Sequence, residues 1–142
     1  MPALTDIAEA VRNELNGHEF SRPFEAERMY QPLFELPEMQ QLHVTVVPNG
    51  VTVHPAGRGL IQHDYAVDVA VQKKFDTNEA VELDPLMALV EEIADFFRLR
   101  RLGAAPDAVW AKTENSPVYS QEHMEQFRQF TSVVTLTFRV LR

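Results

Sequence analysis

The stretch HDYAVDVAVQKK, residues 63–74, limits the possible folds of this chain more than any other segment. Large apolar side chains alternate in it with small or acidic ones, and the two sets are Tyr65, Val67, Val69, Val71 and Asp64, Ala66, Asp68, Ala70. Successive side chains of a β-strand point to opposite faces, so the pattern predicts a strand with one buried face. We expect a central strand whose tyrosine and valines lie in the core and whose acids lie on the surface.

Four further segments are typical of strands. Residues 42–46 alternate in the same way, which predicts a half-buried strand. Residues 108–113 predict a short strand, and residues 130–142 predict a closing strand with one apolar face. Residues 24–36 predict an irregular edge strand, because prolines interrupt this region and proline cannot donate to a ladder.

The N-terminal segment has helical periodicity. Apolar residues recur in residues 4–15 at spacings of three and four, which predicts an amphipathic helix. Thr5 is the expected N-cap, since a side-chain oxygen there can accept from the first free N–H groups. The Asn16-Gly17 pair predicts a left-handed stop.

A second and stronger helix is predicted to begin after Asp84. Pro85 then occupies the first helical position, and Gly103 follows the end. The wide apolar stripe of this helix is sufficient to cover a sheet. The sequence therefore predicts a single α+β domain over residues 1–142, with a mainly antiparallel sheet of about four to five strands and two helices packed on one face.

Composition and charge exclude several classes of function. The chain has 142 residues, 45% of them hydrophobic, and no cysteine, so it has neither a disulfide framework nor a cysteine zinc site. The chain has 13 Lys and Arg against 21 Asp and Glu, so its net charge is negative. Nucleic-acid binding requires a basic face, which this balance does not favour. No segment approaches the roughly 18 apolar residues of a membrane span, and acids replace the apolar core of a signal peptide. We expect no membrane association.

The titratable residues form no evident catalytic set. Asp64 and Asp68 share a strand face, but the strand rise places them about 13 Å apart, too far to ligate one metal or share one proton. An alternative is a small metal-dependent enzyme in which His43 of a neighbouring strand meets Asp64 or Asp68. No nucleophile elbow, phosphate loop or paired helical histidines accompany these residues. We therefore expect a polar surface, no enzymatic activity, no metal and no cofactor.

Two long segments are the expected contact surfaces. Residues 48–62 begin with the turn signal Pro-Asn-Gly, and residues 113–129 are polar with about one helical turn. Loops of this length are usually functional or disordered, and apolar residues spaced among polar ones suit docking onto a partner. The alternative is that both segments fold back on their own sheet. The candidate interface residues, two of them from the irregular edge strand, are Tyr30, Phe34, Val51, Val53, Leu60, Ile61, Val118, Tyr119, Met124 and Phe127.

The order of elements resembles the tail terminator, or tail completion, family of tailed bacteriophages. The resemblance covers nearly the whole chain, from the helix LTDIAEAVRNEL through the strand DYAVDVAVQKKF and the helix DPLMALVEEIADFFRLRRL to AVWAKT and FTSVVTLTFRVLR. It rests on size, element order and strand character, since the family has no short diagnostic motif. It implies a structural virion protein of the tail or neck that is assembled in the host cytoplasm.

The resemblance also implies a set of partners. Such a protein forms a ring, expected to be hexameric, on the head-proximal end of the tail tube, where it stops polymerisation and joins the tail to the head. Its partners would be further copies of itself, the tube protein and a neck or head-completion protein, while DNA passes through the lumen without specific binding. An acidic lumen repels phosphate, and the expected lumen-facing acids are Asp64, Asp68, Glu114 and Glu122. The alternatives are another neck connector, such as a stopper built on a β-barrel, and a monomeric α+β binding module.

Overall fold

The computed structural model describes residues 3–30, 41–75, 80–115 and 118–142. The helices in these ranges are α1 (Ala3–Asn16), α2 (Ala80–Phe97) and α3 (Gln121–Phe127). The strands are β1 (Ala26–Arg28), β2 (His43–Gly57), β3 (Leu60–Lys74), β4 (Arg101–Leu102), β5 (Ala105–Glu114) and β6 (Gln129–Leu141). Within the same ranges, no helix has the length and apolarity that crossing a membrane demands.

The six described strands form one sheet in the order β1-β2-β3-β6-β5-β4. Neighbouring strands are antiparallel except for β1 and β2, which are parallel. The predicted α+β class and mainly antiparallel sheet are confirmed, whereas the expected number of strands was too small. The additional strand is β4, whose two residues pair with β5 and are too few to produce an alternating pattern.

Strand β3 is central, as the sequence predicts, with its apolar face in the core. Tyr65 is 4% exposed and Val67, Val69 and Val71 are fully buried. Residues that pair directly across an antiparallel ladder point to the same side, so the paired apolar residues of β6 extend this face. Helices α1 and α2 pack their buried residues into the same cluster, and Phe97 of α2 meets Phe138 of β6 edge to face with ring centroids 6.5 Å apart.

The segment expected to be a loop after residue 47 is instead the long hairpin of β2 and β3. The Pro-Asn-Gly signal produces a β-bulge and not a turn, because Pro48 pairs with Val67, Gly50 pairs with Ala66, and Asn49 is the extra residue. The turn lies at Arg58 and Gly59, the latter with a positive φ of 76° that glycine adopts without strain. The bulge shifts the alternation by one residue, so Val46 before it and Val51 after it lie on the same face of the sheet.

The expectation that the strand at residues 42–46 is half-buried is wrong. Val44 and Val46 lie in the core as predicted, but Thr45 and Val47 on the opposite face are also buried. The facing residue Ala70 of β3 is 1% exposed, so this end of the sheet is covered on both faces. The polar alternation therefore does not mark a solvent-exposed face here.

Helix α1 ends where the sequence predicts but begins earlier. It starts at Ala3, so Thr5 lies inside the helix and is not its N-cap. It ends at Asn16, although Gly17 does not have the left-handed conformation expected of it. The Asn16 side chain instead accepts a hydrogen bond from Ala26 N at 2.7 Å and donates to Ala26 O at 3.2 Å. This pair of bonds joins the end of α1 to the edge strand β1.

Helix α2 also begins earlier than predicted. It starts at Ala80, so Asp84 is not the N-cap and Pro85 lies inside the helix. The residues between Ala80 and Asp84 favour helix, so the helix begins before the position that Pro85 indicated. At the other end, the left-handed residue after the helix is Leu99, with φ of 59°, and not Gly103. The predicted apolar stripe is confirmed, and the buried members are Leu86, Leu89, Val90, Ile93 and Phe97.

Candidate assembly surfaces

The strand register brings three of the four predicted lumen acids onto one face of the sheet. This outer face is the side of β2, β3, β6 and β5 opposite α1 and α2. Asp68 pairs with Thr135 of β6, which in turn pairs with Glu114 of β5, so the three side chains form a row across the sheet. Asp64 lies on the same face two rows from Asp68, and Ala66 occupies the row between them. Asp64 pairs with Arg139 of β6.

Asp64 is the most heavily bonded of these acids. Its carboxylate accepts hydrogen bonds from Arg139 Nε at 2.9 Å and Arg139 Nη2 at 3.3 Å, and from Gln62 Nε2 at 3.0 Å. His54 Nε2 lies 3.5 Å from Asp64 Oδ2. The hydrogen bonds from Arg139 outweigh partial burial and lower the pKa of Asp64 from 3.8 to about 2. Asp64 is therefore an ion-pair partner whose charge is offset by a cation.

Asp68 is held by neutral groups. It accepts hydrogen bonds from Asn49 Nδ2 at 2.9 and 3.0 Å and from Thr135 Oγ1 at 2.7 Å. Asn49 is the bulged residue of β2, so the bulge aims its amide at Asp68. Sequence reasoning did not find this partner, because the Pro-Asn-Gly signal was interpreted as a turn.

The two remaining predicted lumen acids occupy different environments. Glu114 lies 2.7 Å from Lys112 Nζ, and the hydrogen bond from Lys112 lowers the pKa of Glu114. Both side chains are more than 60% exposed, so this pair contributes little to stability. Glu122 lies in the first turn of α3, where it is exposed and favourably placed relative to the helix dipole.

The structure does not bring together the residues that a metal-dependent enzyme would need. His43 lies on the outer face as predicted, but it pairs with Gln72, which is four residues from Asp68 and eight from Asp64. At the rise of a strand these separations are about 13 and 26 Å. Over the described ranges, no group of three or more His, Cys, Asp or Glu residues could hold a metal ion.

The first predicted contact segment carries four exposed apolar residues within a short stretch of the chain. We call residues 50–63 the hairpin arm. The register pairs Val51 with Tyr65 and Val53 with His63, so both valines continue the core face of the sheet beyond the helices. Val51 is 46% exposed, Val53 is 56%, Leu60 is 44% and Ile61 is 40%. Val51, Val53 and Ile61 share one face and leave an apolar strip that this subunit does not bury, whereas Leu60 lies on the opposite face.

The second predicted contact segment is divided between solvent and core. Val118 is 46% exposed, but Tyr119 and Met124 are half-buried and pack against the core. The ring of Tyr119 lies 6.3 Å from that of Phe130, between centroids. Tyr30 is 75% exposed, with the Arg28 guanidinium 5.3 Å from its ring centroid. Phe34 and the side chain of Phe127 lie outside the described residues.

Comparisons with known proteins found a similar fold among solved structures. No protein-family model and no curated protein matches the chain. The fold is similar to the sheath/tube terminator of an extracellular contractile injection system, PVC, determined by cryo-EM in the extended state. The TM-score is 0.53 at 13% sequence identity, and the match covers 100% of this chain and 57% of that chain. This chain thus spans little more than half the length of the terminator, and at this identity the likeness shows the fold.

Proposed function

We propose that this protein is a structural terminator of a phage-tail-like tube. It would assemble as a ring of identical subunits, six in number, on the end of the tube and stop further polymerisation. The observation that carries the proposal is the similarity of its fold, over the whole chain, to a sheath/tube terminator. In a phage, the same ring would join the tail to the neck or head-completion protein, after assembly in the host cytoplasm.

The described surface supports assembly better than catalysis. Exposed apolar residues are concentrated on the hairpin arm, and large exposed apolar patches usually mark contact sites. The acids of the outer face are bonded to neighbouring side chains of the same sheet, as Asp64 is to Arg139 and Asp68 to Thr135. Such bonds tie these carboxylates to their neighbours in the sheet.

The part of the outer face around Asp64, Asp68 and Glu114 is the surface we assign to the lumen, because the end of this face at Thr45 and Ala70 is buried. Its central residues are small or polar, which suits a wall past which DNA slides without specific contact. Asp64 and Glu114 are offset by Arg139 and Lys112, so the face is less acidic than the chain as a whole. Repulsion of phosphate would then come from Asp68, which accepts hydrogen bonds from the neutral Asn49 and Thr135, and from the net charge of the ring.

The described fold favours a terminator over a stopper-like connector. A stopper was expected to show a β-barrel, whereas the described sheet has two ends, β1 and β4, with α1 and α2 packed on one face. The terminator proposal therefore agrees better with the described elements than the stopper alternative does.

Tube-length measurement by negative-stain electron microscopy tests the proposed function. Tube protein would be polymerised alone and with increasing amounts of this protein, and the length distribution and tube ends would be recorded. We expect shorter tubes that carry one cap at one end, with no change in tube diameter. Tubes of unchanged length with bare ends at a saturating excess of the protein would refute the proposal.

A folded control variant is needed for that experiment. Val69 is fully buried at the centre of β3, so Val69→Asp would unfold the chain and should abolish capping. Val109→Asp places the same charge on a residue that is 52% exposed on β5, and this variant should stay folded. Capping by Val109→Asp and not by Val69→Asp would tie the effect on tube length to the folded protein.

A further inference from the structure

The hairpin arm differs in charge from the rest of the protein. Residues 50–63 contain one arginine, Arg58, two histidines and no acid. The remainder of the chain therefore carries 12 Lys and Arg against 21 Asp and Glu. Arg58 lies at the two-residue turn, so the tip of the arm is its positive end. In an assembly of identical subunits, the net-acidic body of another copy is a surface of opposite charge to this tip.

The arm is also held away from its own subunit. The backbones of Ile61 and Arg142 exchange two hydrogen bonds of 3.0 Å, which mark the last pairing between β3 and the chain after β6. Residues 55–60 extend beyond that point, and all residues from 51 to 61 are exposed. The antiparallel ladder keeps the arm in line with β2 and β3.

Any contact between the hairpin arm and another subunit must be made by side chains of the arm and not by its backbone. Strand β2 is flanked by β1 only at residues 44–46, so among the described strands its edge is open along the arm. Pro48 and Pro55 interrupt this edge, and the register shifts near both of them. Prolines and bulges prevent a continuous added strand. The exposed valines and Ile61 are then the groups available for docking.

A groove with a small apolar wall and acidic residues on its rim lies at the same end of the sheet as the arm, beside β5. Its volume is about 260 Å³, and it lies between the start of α1, the start of β5 and the end of β6. Small apolar side chains form its wall: Ala3, Ala104, Ala105, Pro106, Ala108 and Val140. Asp6 and Asp107 are exposed on its rim, and Arg142 on the same rim donates to Tyr65 Oη at 2.9 Å.

We infer that the hairpin arm of one subunit docks in this groove of a second copy of the chain. Val51, Val53 and Ile61 would lie against the alanine wall, and Arg58 would approach Asp6 and Asp107. The arm and groove are different patches of one chain, so the contact is heterologous, as a ring requires. The inference rests on the proposed function for the ring, and it adds which surfaces close it.

The sequence permits a direct test by disulfide cross-linking, because the chain has no cysteine. Arg58→Cys would be mixed with Asp107→Cys under mild oxidation, at high concentration and on capped tubes. We expect cross-linked dimers at least about tenfold in excess of those from Arg58→Cys mixed with the control Glu122→Cys, which is exposed on α3 and does not line the groove. Equal yields from the two mixtures, or no cross-link in either setting, would overturn the inference.

Charge reversal provides a second test that does not depend on a covalent bond. Arg58→Glu and Asp107→Arg should each weaken self-association roughly tenfold, since each places like charges together, and the two variants mixed should associate better than either alone. No recovery in the mixture would overturn the inference. Loss of tube binding by Arg58→Glu with unchanged self-association would also overturn it, and would assign the arm to the tube.

The two proposals fail in different ways. Tube capping that persists when neither cross-linking nor charge reversal has an effect would contradict the arm contact and leave the terminator function standing. Cross-linking between Arg58→Cys and Asp107→Cys, without any effect on tube length, would support the arm contact and contradict the terminator function.

Discussion

Replacing Asp64 by asparagine would measure how strongly the outer face of the sheet is tied together. The substitution keeps the shape of the side chain and removes the charge that Arg139 and Gln62 bind. A pKa of about 2 in place of 3.8 corresponds to at most about 2.5 kcal/mol. The Arg139 side chain is 45% exposed, so solvent screens the pair, and we expect Asp64→Asn to cost about 1 kcal/mol at pH 7.

The same substitution has a defined pH dependence. The pKa of Asp64 is lower in the folded state, so the unfolded state binds more protons as the pH falls from about 4 to about 2. The stabilisation by Asp64 is therefore complete above pH 4 and is lost as the pH approaches 2. The difference in unfolding free energy between the wild type and Asp64→Asn should disappear over this window.

Urea unfolding followed by the fluorescence of Trp110, the single tryptophan, measures both effects. A double-mutant cycle with Arg139→Gln isolates the pair, because each single variant removes the same interaction. We expect a coupling energy of about 1 kcal/mol at pH 7, falling to near zero at pH 2. A coupling below about 0.3 kcal/mol, or a cost that is equal at both pH values, would refute the reasoning.

Three further substitutions test other parts of the molecule. Val53→Asp should lower the oligomer mass in light scattering, whereas Val109→Asp, at a residue of similar exposure, should not; equal effects of the two would contradict the arm as a contact surface. Leu99→Gly should raise the free energy of unfolding by about 0.5–1 kcal/mol. The residue is 82% exposed and adopts a left-handed conformation that glycine tolerates. An unchanged or lower melting temperature would contradict this prediction. Asn16→Ala should cost about 1–3 kcal/mol in urea unfolding, since it leaves the backbone of the buried Ala26 unpaired, and a cost below 0.5 kcal/mol would show that the two bonds are replaced.

Burial patterns could be predicted from the sequence more accurately than boundaries could. The alternation around Val67 and the stripe around Leu89 report which side of an element is apolar, and that property determines which side is buried. Helix starts depend on weaker local signals. Thr5 and Pro85 are both typical of helix starts, but the residues before them also favour helix, and each helix begins earlier.

The candidate assembly surfaces were predicted only as separate residues. The sequence indicated the exposed apolar residues near Val53 and the acids at Asp64 and Asp68. It did not indicate the groove at Asp107, because no single segment contains that groove. Helix α1 and the ends of two strands meet to form it.

The sequence by itself determined the sign of the charge, the α+β class and the buried face of β3, because these depend on composition and on the local spacing of apolar residues. Only the tertiary structure decided which polar groups meet. Asp64 and Arg139 are 75 residues apart, and Asp68 and Thr135 are 67 apart. Both pairs depend on the register between β3 and β6, and a shift of one residue would turn one strand's apolar face away from the core. The register that buries both apolar faces also places these polar partners opposite each other.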